Sequence, residues 1–122
     1  MKILILGGNR FIGKRLSDEL VCSHEVTVLN RKGTGSNSVN IIKCDRDNKV
    51  NLQNAIGDKK FDIVIDMCCY NVNQVLLLEQ TLQHMPTQYI FMSSLAIINP
   101  DFGPYARHKR GVETYLTAGS RL

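Results

Sequence analysis

Tyr105 and Lys109 stand four residues apart, the spacing that sets two side chains on one face of a helix. A phenol with an ordinary pKa of about 10 is a poor base at neutral pH, but an adjacent ammonium stabilises phenolate and brings proton transfer within range. A hydroxyl that orients the reacting oxygen completes such a set, and Ser93-Ser94 lies upstream, with ten residues between Ser94 and Tyr105. At the start of the chain, Met1-Lys2-Ile3-Leu4-Ile5-Leu6 runs into Gly7-Gly8-Asn9-Arg10-Phe11-Ile12-Gly13. A buried strand, a tight glycine turn and a helix in that order form a cradle for a dinucleotide pyrophosphate. A residue without a Cβ at Gly7 permits the turn and a close approach, while the free N–H groups and dipole of the helix attract the charge.

The elements that must hold these groups are legible as apolar runs separated by helical stretches. Strands are predicted at Ile3–Leu6, Val26–Leu29, Val39–Ile42, Phe61–Ile65 and Tyr89–Met92. Their apolar character is continuous rather than alternating, which suits parallel strands covered on both faces. Helices are predicted at Arg10–Val21, Lys49–Ile56, Val72–His84 and Pro104–Leu116, with Gly57 and Gly119 placed to end two of them. Arg31–Asn37 reads as a surface loop. The fold class is therefore α/β, a doubly wound parallel sheet of about five strands, in a single domain over residues 1–122.

The residue ending the second strand of such a fold faces the adenosine ribose, where a carboxylate holds a 2′-hydroxyl and a cation accommodates a 2′-phosphate. Here the segment is Leu29-Asn30-Arg31-Lys32, with no acid and two cations, and Arg10 in the glycine loop adds a third. NADP is thus expected in preference to NAD. Asp45, in Cys44-Asp45-Arg46-Asp47 after the third strand, is placed either to accept from the adenine amino group or to cap a helix, a role that Asp47 or Asn48 can also fill.

Taken in order, the glycine loop, Asp45-Arg46-Asp47, Phe61-Asp62-Ile63-Val64-Ile65-Asp66, Tyr89-Ile90-Phe91-Met92-Ser93-Ser94, and Tyr105 with Lys109 make the chain resemble the short-chain dehydrogenase/reductase superfamily. The likeness is to its extended and atypical branch, the NAD-dependent epimerase/dehydratases, and runs from Met1 to about Leu116. It implies a Rossmann fold. It also implies that Tyr105 is the acid/base, that Lys109 holds the nicotinamide ribose and lowers the tyrosine pKa, and that Ser94 contacts the reacting oxygen, with Ser93 as the fallback. Cofactor contacts carried over are Gly7 to Gly13, Asn30, Arg31, Asp45, Arg46, Cys68, Tyr105 and Lys109, with Cys68 and Cys69 where the family places small residues beside the cofactor. The implied reaction passes hydride between nicotinamide and a hydroxyl or carbonyl substrate such as a sugar nucleotide.

The chain departs from that pattern in three places. Arg10 replaces the middle glycine of the loop, the segment between Ser94 and Tyr105 is short, and the sequence ends soon after the tyrosine helix. A cofactor half lacking the C-terminal substrate lobe is the expectation, and the substrate is left unspecified. The resemblance also implies pairing of the Tyr105 helix with that of a second copy. The alternative is a non-catalytic nucleotide- or RNA-binding module of the atypical branch. A net charge of +4 is compatible with RNA, but no basic stripe or aromatic platform accompanies it, so RNA ranks below the dinucleotide.

Composition agrees with a globular domain: 43% of residues are hydrophobic and 21% charged, and the apolar runs are too short to cross a bilayer. With no secretory signal pattern at the N-terminus, a cytoplasmic location is expected. Cys22, Cys44, Cys68 and Cys69 show no metal-ligand spacing and read as reduced thiols in packing roles. His24, His84 and His108 have no evident partners and read as structural or exposed.

Overall fold

The computed structural model describes residues 1–99, 101 and 103–122. Five strands, β1 (Lys2–Leu6), β2 (Glu25–Asn30), β3 (Asn40–Lys43), β4 (Ile63–Asp66) and β5 (Gln88–Phe91), form one parallel sheet in the order β3-β2-β1-β4-β5. Four α-helices connect or follow them: α1 (Phe11–Leu20), α2 (Lys49–Ile56), α3 (Val72–Thr81) and α4 (Gly103–Gly119). A 3-10 turn at Leu95–Ile98 lies between β5 and α4.

The central strand explains the continuous apolar run. Side chains of a strand alternate between faces. Leu4 and Leu6 pack on one side with Leu52, Ile56 and Leu78 of α2 and α3, while Ile3 and Ile5 pack on the other with Leu16 and Leu20 of α1. Each fully buried Leu or Ile contributes about 1.5–3 kcal/mol by leaving water. The strand order reverses at β1, so the carboxyl ends of β1 and its neighbours open a crevice at the switch point. A third cluster, Cys69, Val75 and Val112 with Phe91, Tyr115 and Leu116, fastens α4 to α3 and β5.

This is the expected doubly wound sheet of five strands in a Rossmann arrangement, with boundaries that differ for physical reasons. Arg10 has an extended backbone and precedes α1 rather than starting it. The third helix ends at Thr81, not His84, because Leu82 turns to an extended conformation and enters the core, and Gln83 N–H bonds Gly57 O at 3.0 Å. Gly57 caps α2 and Gly119 ends α4 at φ +133°, as the sequence indicates. Asn48, rather than Asp45 or Asp47, caps α2, accepting from Asn51 N–H. All four cysteines are free thiols. Among the described residues, no helix is long and apolar enough to cross a membrane.

Candidate functional site

The glycine loop follows β1 and turns sharply. Gly7 has φ +102° and Gly8 φ +52°, backbone states that cost a residue with a side chain. Gly7 N–H donates to Leu29 O at 2.9 Å, tying the loop to the end of β2. A Cβ at Gly13 would lie 2.9 Å from the Gly8 Cα, so the first turn of α1 approaches the loop backbone more closely than any side chain allows. The start of α1 has no side-chain cap and no acid in its first turn. Its first N–H groups have no backbone acceptor among the described residues, the arrangement that favours an anion. Phe11 and Ile12 are exposed, Phe11 at φ +46°.

Above the carboxyl ends of the strands lies a cleft of about 420 Å³. Gly7, Asn9 and Arg10 form one wall, Asn30, Arg31 and Lys32 a second, Asp45, Arg46 and Asp47 a third, and Cys68 with Gln74 close it. Arg10, Arg31 and Lys32 make no ion pair among the described residues. Asn9 donates to Thr34 Oγ1 at 3.4 Å.

Asn30 and Arg46, both expected to meet a cofactor, have their polar atoms engaged within the chain. Asn30 Oδ1 accepts from Gly33 and Thr34 N–H at 2.8 and 3.2 Å, and its Nδ2 donates to Thr34 O at 2.7 Å. Its amide braces the loop that carries Arg31 and Lys32 instead of pointing freely at a ribose. Arg46 turns inward: Nη1 and Nη2 donate to the two oxygens of Asp66 at 2.6 and 2.8 Å, and Nη1 also reaches Cys68 Sγ at 3.5 Å. Asp66, with no exposed surface, further accepts from Tyr89 Oη at 2.7 Å and from Cys68 N–H at 3.2 Å. Burial works against the guanidinium charge, but Asp66 outweighs it and raises the Arg46 pKa above the ordinary range. Burial and then the Asp66 charge likewise raise Tyr89, keeping its phenol protonated, and burial pushes the Cys69 thiol up to about 11. Cys68 reaches the surface of the cleft, yet its thiol is also raised, by desolvation first and the Asp66 charge second, which disfavours a reactive thiolate.

On the other side of the crevice, α4 buries Ala106, Lys109 and Val112 along one stripe. Lys109 is 5% exposed, so it is not half of a surface pair. Its Nζ donates to Met92 O at 2.8 Å and sits 4.7 Å from the Phe91 ring centroid and 5.9 Å from that of Tyr105. Tyr105 keeps 42% of its surface exposed. Its ring packs at 5.6 Å against Tyr70, which in turn meets the exposed His108 at 5.1 Å. Ser94 Oγ accepts from Ala96 N–H at 3.2 Å and caps the 3-10 turn, retaining its own proton. Ser93 Oγ is buried with no hydrogen-bond partner among the described residues. The structure thus brings Tyr105 beside Lys109, both near the end of β5. The inward role of Arg46 and the Tyr70 contact were not readable from local sequence. The single available signal was that Asp66 closes an otherwise apolar strand.

A five-stranded parallel sheet in 3-2-1-4-5 order, with a glycine loop at its switch point and a cleft above it, defines a Rossmann-fold domain. The profile of the NAD dependent epimerase/dehydratase family matches residues 3–76. The chain belongs to that family. A search of curated proteins finds no match. Among solved structures, the chain is similar to the UDP-Glc/GlcNAc 4-epimerase of Campylobacter jejuni, with a TM-score of 0.80 at 22% identity over 96% of this chain and 48% of that one. It is also similar to the Bifidobacterium longum UDP-glucose 4-epimerase in complex with NAD+ and UDP, with a TM-score of 0.76 at 17% identity over 97% and 48%. A third is the Bordetella bronchiseptica enzyme WbmG in complex with NAD, with a TM-score of 0.74 at 17% identity over 98% and 50%. At these identities the likeness establishes the fold, and the chain spans about half the length of each structure.

Proposed function

We propose that the chain binds a nicotinamide dinucleotide across the cleft, NADP in preference to NAD, and that it takes part in epimerase- or reductase-like chemistry on a hydroxyl or carbonyl substrate such as a sugar nucleotide. The observation that carries this reading is the uncapped start of α1 beside the cleft, together with Arg10, Arg31 and Lys32, which form no ion pair among the described residues. The glycine positions support the fit: Gly7 and Gly8 turn at positive φ, and a Cβ at Gly13 would stand 2.9 Å from the Gly8 Cα, so the start of α1 lies against the loop. The cofactor supplies hydride acceptance and donation when bound.

The chain's own residues then divide the remaining work. Tyr105 Oη holds and moves the proton of the substrate hydroxyl, and Lys109, beside its ring, places a positive charge at the site. Ser94 Oγ, with its proton still available, donates to the reacting oxygen. Asn30 holds the Arg31 loop for the 2′-phosphate, where a cation forms the stronger, charge-assisted bonds.

Titration with NADPH and NADH, followed by nicotinamide fluorescence and thermal unfolding, tests this directly. NADPH at 100 times its dissociation constant is expected to add about 2.7 kcal/mol to stability. Failure of both nucleotides to bind overturns the reading, and tighter binding of NADH overturns the NADP preference.

A further inference from the structure

We propose that Tyr70 is a positioning residue for Tyr105: its ring, braced from α3, fixes the direction in which the Tyr105 phenol leaves α4. The turn after β4 alternates in burial, with Cys69 inside the cluster that joins α3 to α4 and Tyr70 on the outer side. The Tyr70 ring emerges beside the start of α4. Its centroid lies 5.6 Å from that of Tyr105 and 5.1 Å from that of His108, with the planes tilted by 40° and 45°. Residues three apart share a helix face, so one ring wedges against both. Val72 extends the contact: a Cβ at Gly111 would lie 3.6 Å from its Cγ2, so the same segment also seats the next turn of α4.

Two hydrogen bonds of the Gln74 amide keep that turn in place. Its Oε1 accepts from Tyr70 N–H at 2.6 Å, and its Nε2 donates to Asp47 Oδ1 at 2.9 Å. Asn71 Oδ1 accepts from Gln74 N–H at 3.2 Å and caps α3 directly after the tyrosine. Tyr105, by contrast, stands in the first turn of α4 with 42% of its surface exposed. A side chain so placed has more than one staggered χ1 state open to it. A tilted aromatic pair at this distance favours the packed state roughly two- to tenfold. Lys109 does not supply that direction, because its ammonium is committed to Met92 O and lies nearer the Phe91 ring than the Tyr105 ring. Misplacing a reacting group by about 1 Å costs on the order of 10²-fold in rate, so a contact of modest strength governs the chemistry.

The inference rests on the proton-transfer role given to Tyr105 above, and its test separates the two. Three-bond couplings at the Tyr105 β-carbon, measured by NMR on the full chain with labelled tyrosine and assigned by their loss in Tyr105→Phe, report the χ1 populations without any ligand. One dominant χ1 state is expected in the unaltered protein and in Tyr70→Phe, which keeps the ring. Tyr70→Leu is expected to reduce the population ratio of that state about threefold or more, while the amide resonances of β1 and β4 stay in place. An undisturbed χ1 state in folded Tyr70→Leu overturns the proposal, as do averaged couplings in the unaltered chain or in Tyr70→Phe. Should Tyr70→Leu fail to fold, Gln74→Ala takes its place, keeping the ring but releasing the Tyr70 N–H. Unchanged couplings there also overturn the proposal. Calorimetric titration of the unaltered chain and both Tyr70 variants with NADPH is expected to give affinities within about twofold, because Tyr70 is not among the described residues that line the cleft. A tenfold loss in Tyr70→Leu alone assigns the ring to the nucleotide and overturns the positioning role. Absence of NADPH binding by all three proteins instead sinks the nucleotide reading, while the couplings still decide the role of Tyr70.

Discussion

The two sides of the crevice are built by different means. On the nucleotide side, shape comes from the backbone: Gly7 and Gly8 adopt positive φ, Gly13 presses against Gly8, and Ile3 to Leu6 of β1 beneath are fully buried. On the side of Tyr105, function depends on side chains carried by a helix that follows an edge strand. There Leu95 is 84% and Ile98 77% exposed, and among the described residues β5 is an edge strand. A backbone cradle tolerates almost any side chain nearby but no added Cβ. A side-chain site tolerates backbone variation but not the loss of one oxygen or nitrogen.

That contrast predicts a crossed result. Tyr105→Phe is expected to lower turnover on a sugar-nucleotide substrate by about 10²–10⁴-fold, the usual contribution of a positioned acid/base, while binding NADPH within about twofold of the unaltered protein. Gly13→Val is expected to do the opposite work, weakening NADPH by about 100-fold or more, because its Cβ would meet the Gly8 Cα at 2.9 Å. Steady-state rates and calorimetric titration of both variants check it. Equal loss of binding in the two variants breaks the distinction between the sides.

The same contrast explains what could be read from the sequence. Strands such as Ile3–Leu6 were legible because every residue is apolar and both faces are covered. The glycine loop was legible because its constraint is local. The helical proximity of Tyr105 and Lys109 follows from spacing alone. Not legible were the choices settled by a distant partner. Arg46 could face a phosphate or a carboxylate until Asp66, twenty residues on, is placed beneath it. Asn30 bonds within its own loop, yet only the loop's path reveals that. The end of the third helix depends on Leu82 finding the core.

A second prediction concerns what holds α4, and hence Tyr105, in place. Glu79 of α3 is 6% exposed and accepts from Tyr115 Oη at 2.7 Å, from Ser120 Oγ, and from Arg121 N–H at 2.8 Å. Burial opposes its charge, but these bonds outweigh it and hold the Glu79 pKa below the ordinary carboxylate value. A depressed folded pKa contributes stability above the unfolded value of about 4.3, and that contribution is lost as pH falls through the folded pKa. Glu79→Gln is therefore expected to cost about 1–2 kcal/mol at pH 7, with the difference shrinking below about pH 4. Urea unfolding at several pH values measures this. A difference that stays constant into acid would remove Glu79 ionisation as the cause.

The smallest expected effect lies at the 3-10 turn. Leu95 follows the capping Ser94 and projects most of its surface outward, so its replacement removes almost no buried area. Leu95→Ser is expected to change stability by less than about 0.5 kcal/mol, as exposed positions usually do, and to leave NADPH affinity unchanged. The contrast with Glu79, less exposed by an order of magnitude, is what gives the measurement its force. If Leu95→Ser instead costs more than about 1 kcal/mol, and the loss grows with protein concentration, that surface is covered by a second copy in solution, because stability linked to association depends on concentration. The Tyr105 side would then be completed by assembly, while the glycine cradle would remain complete within one chain.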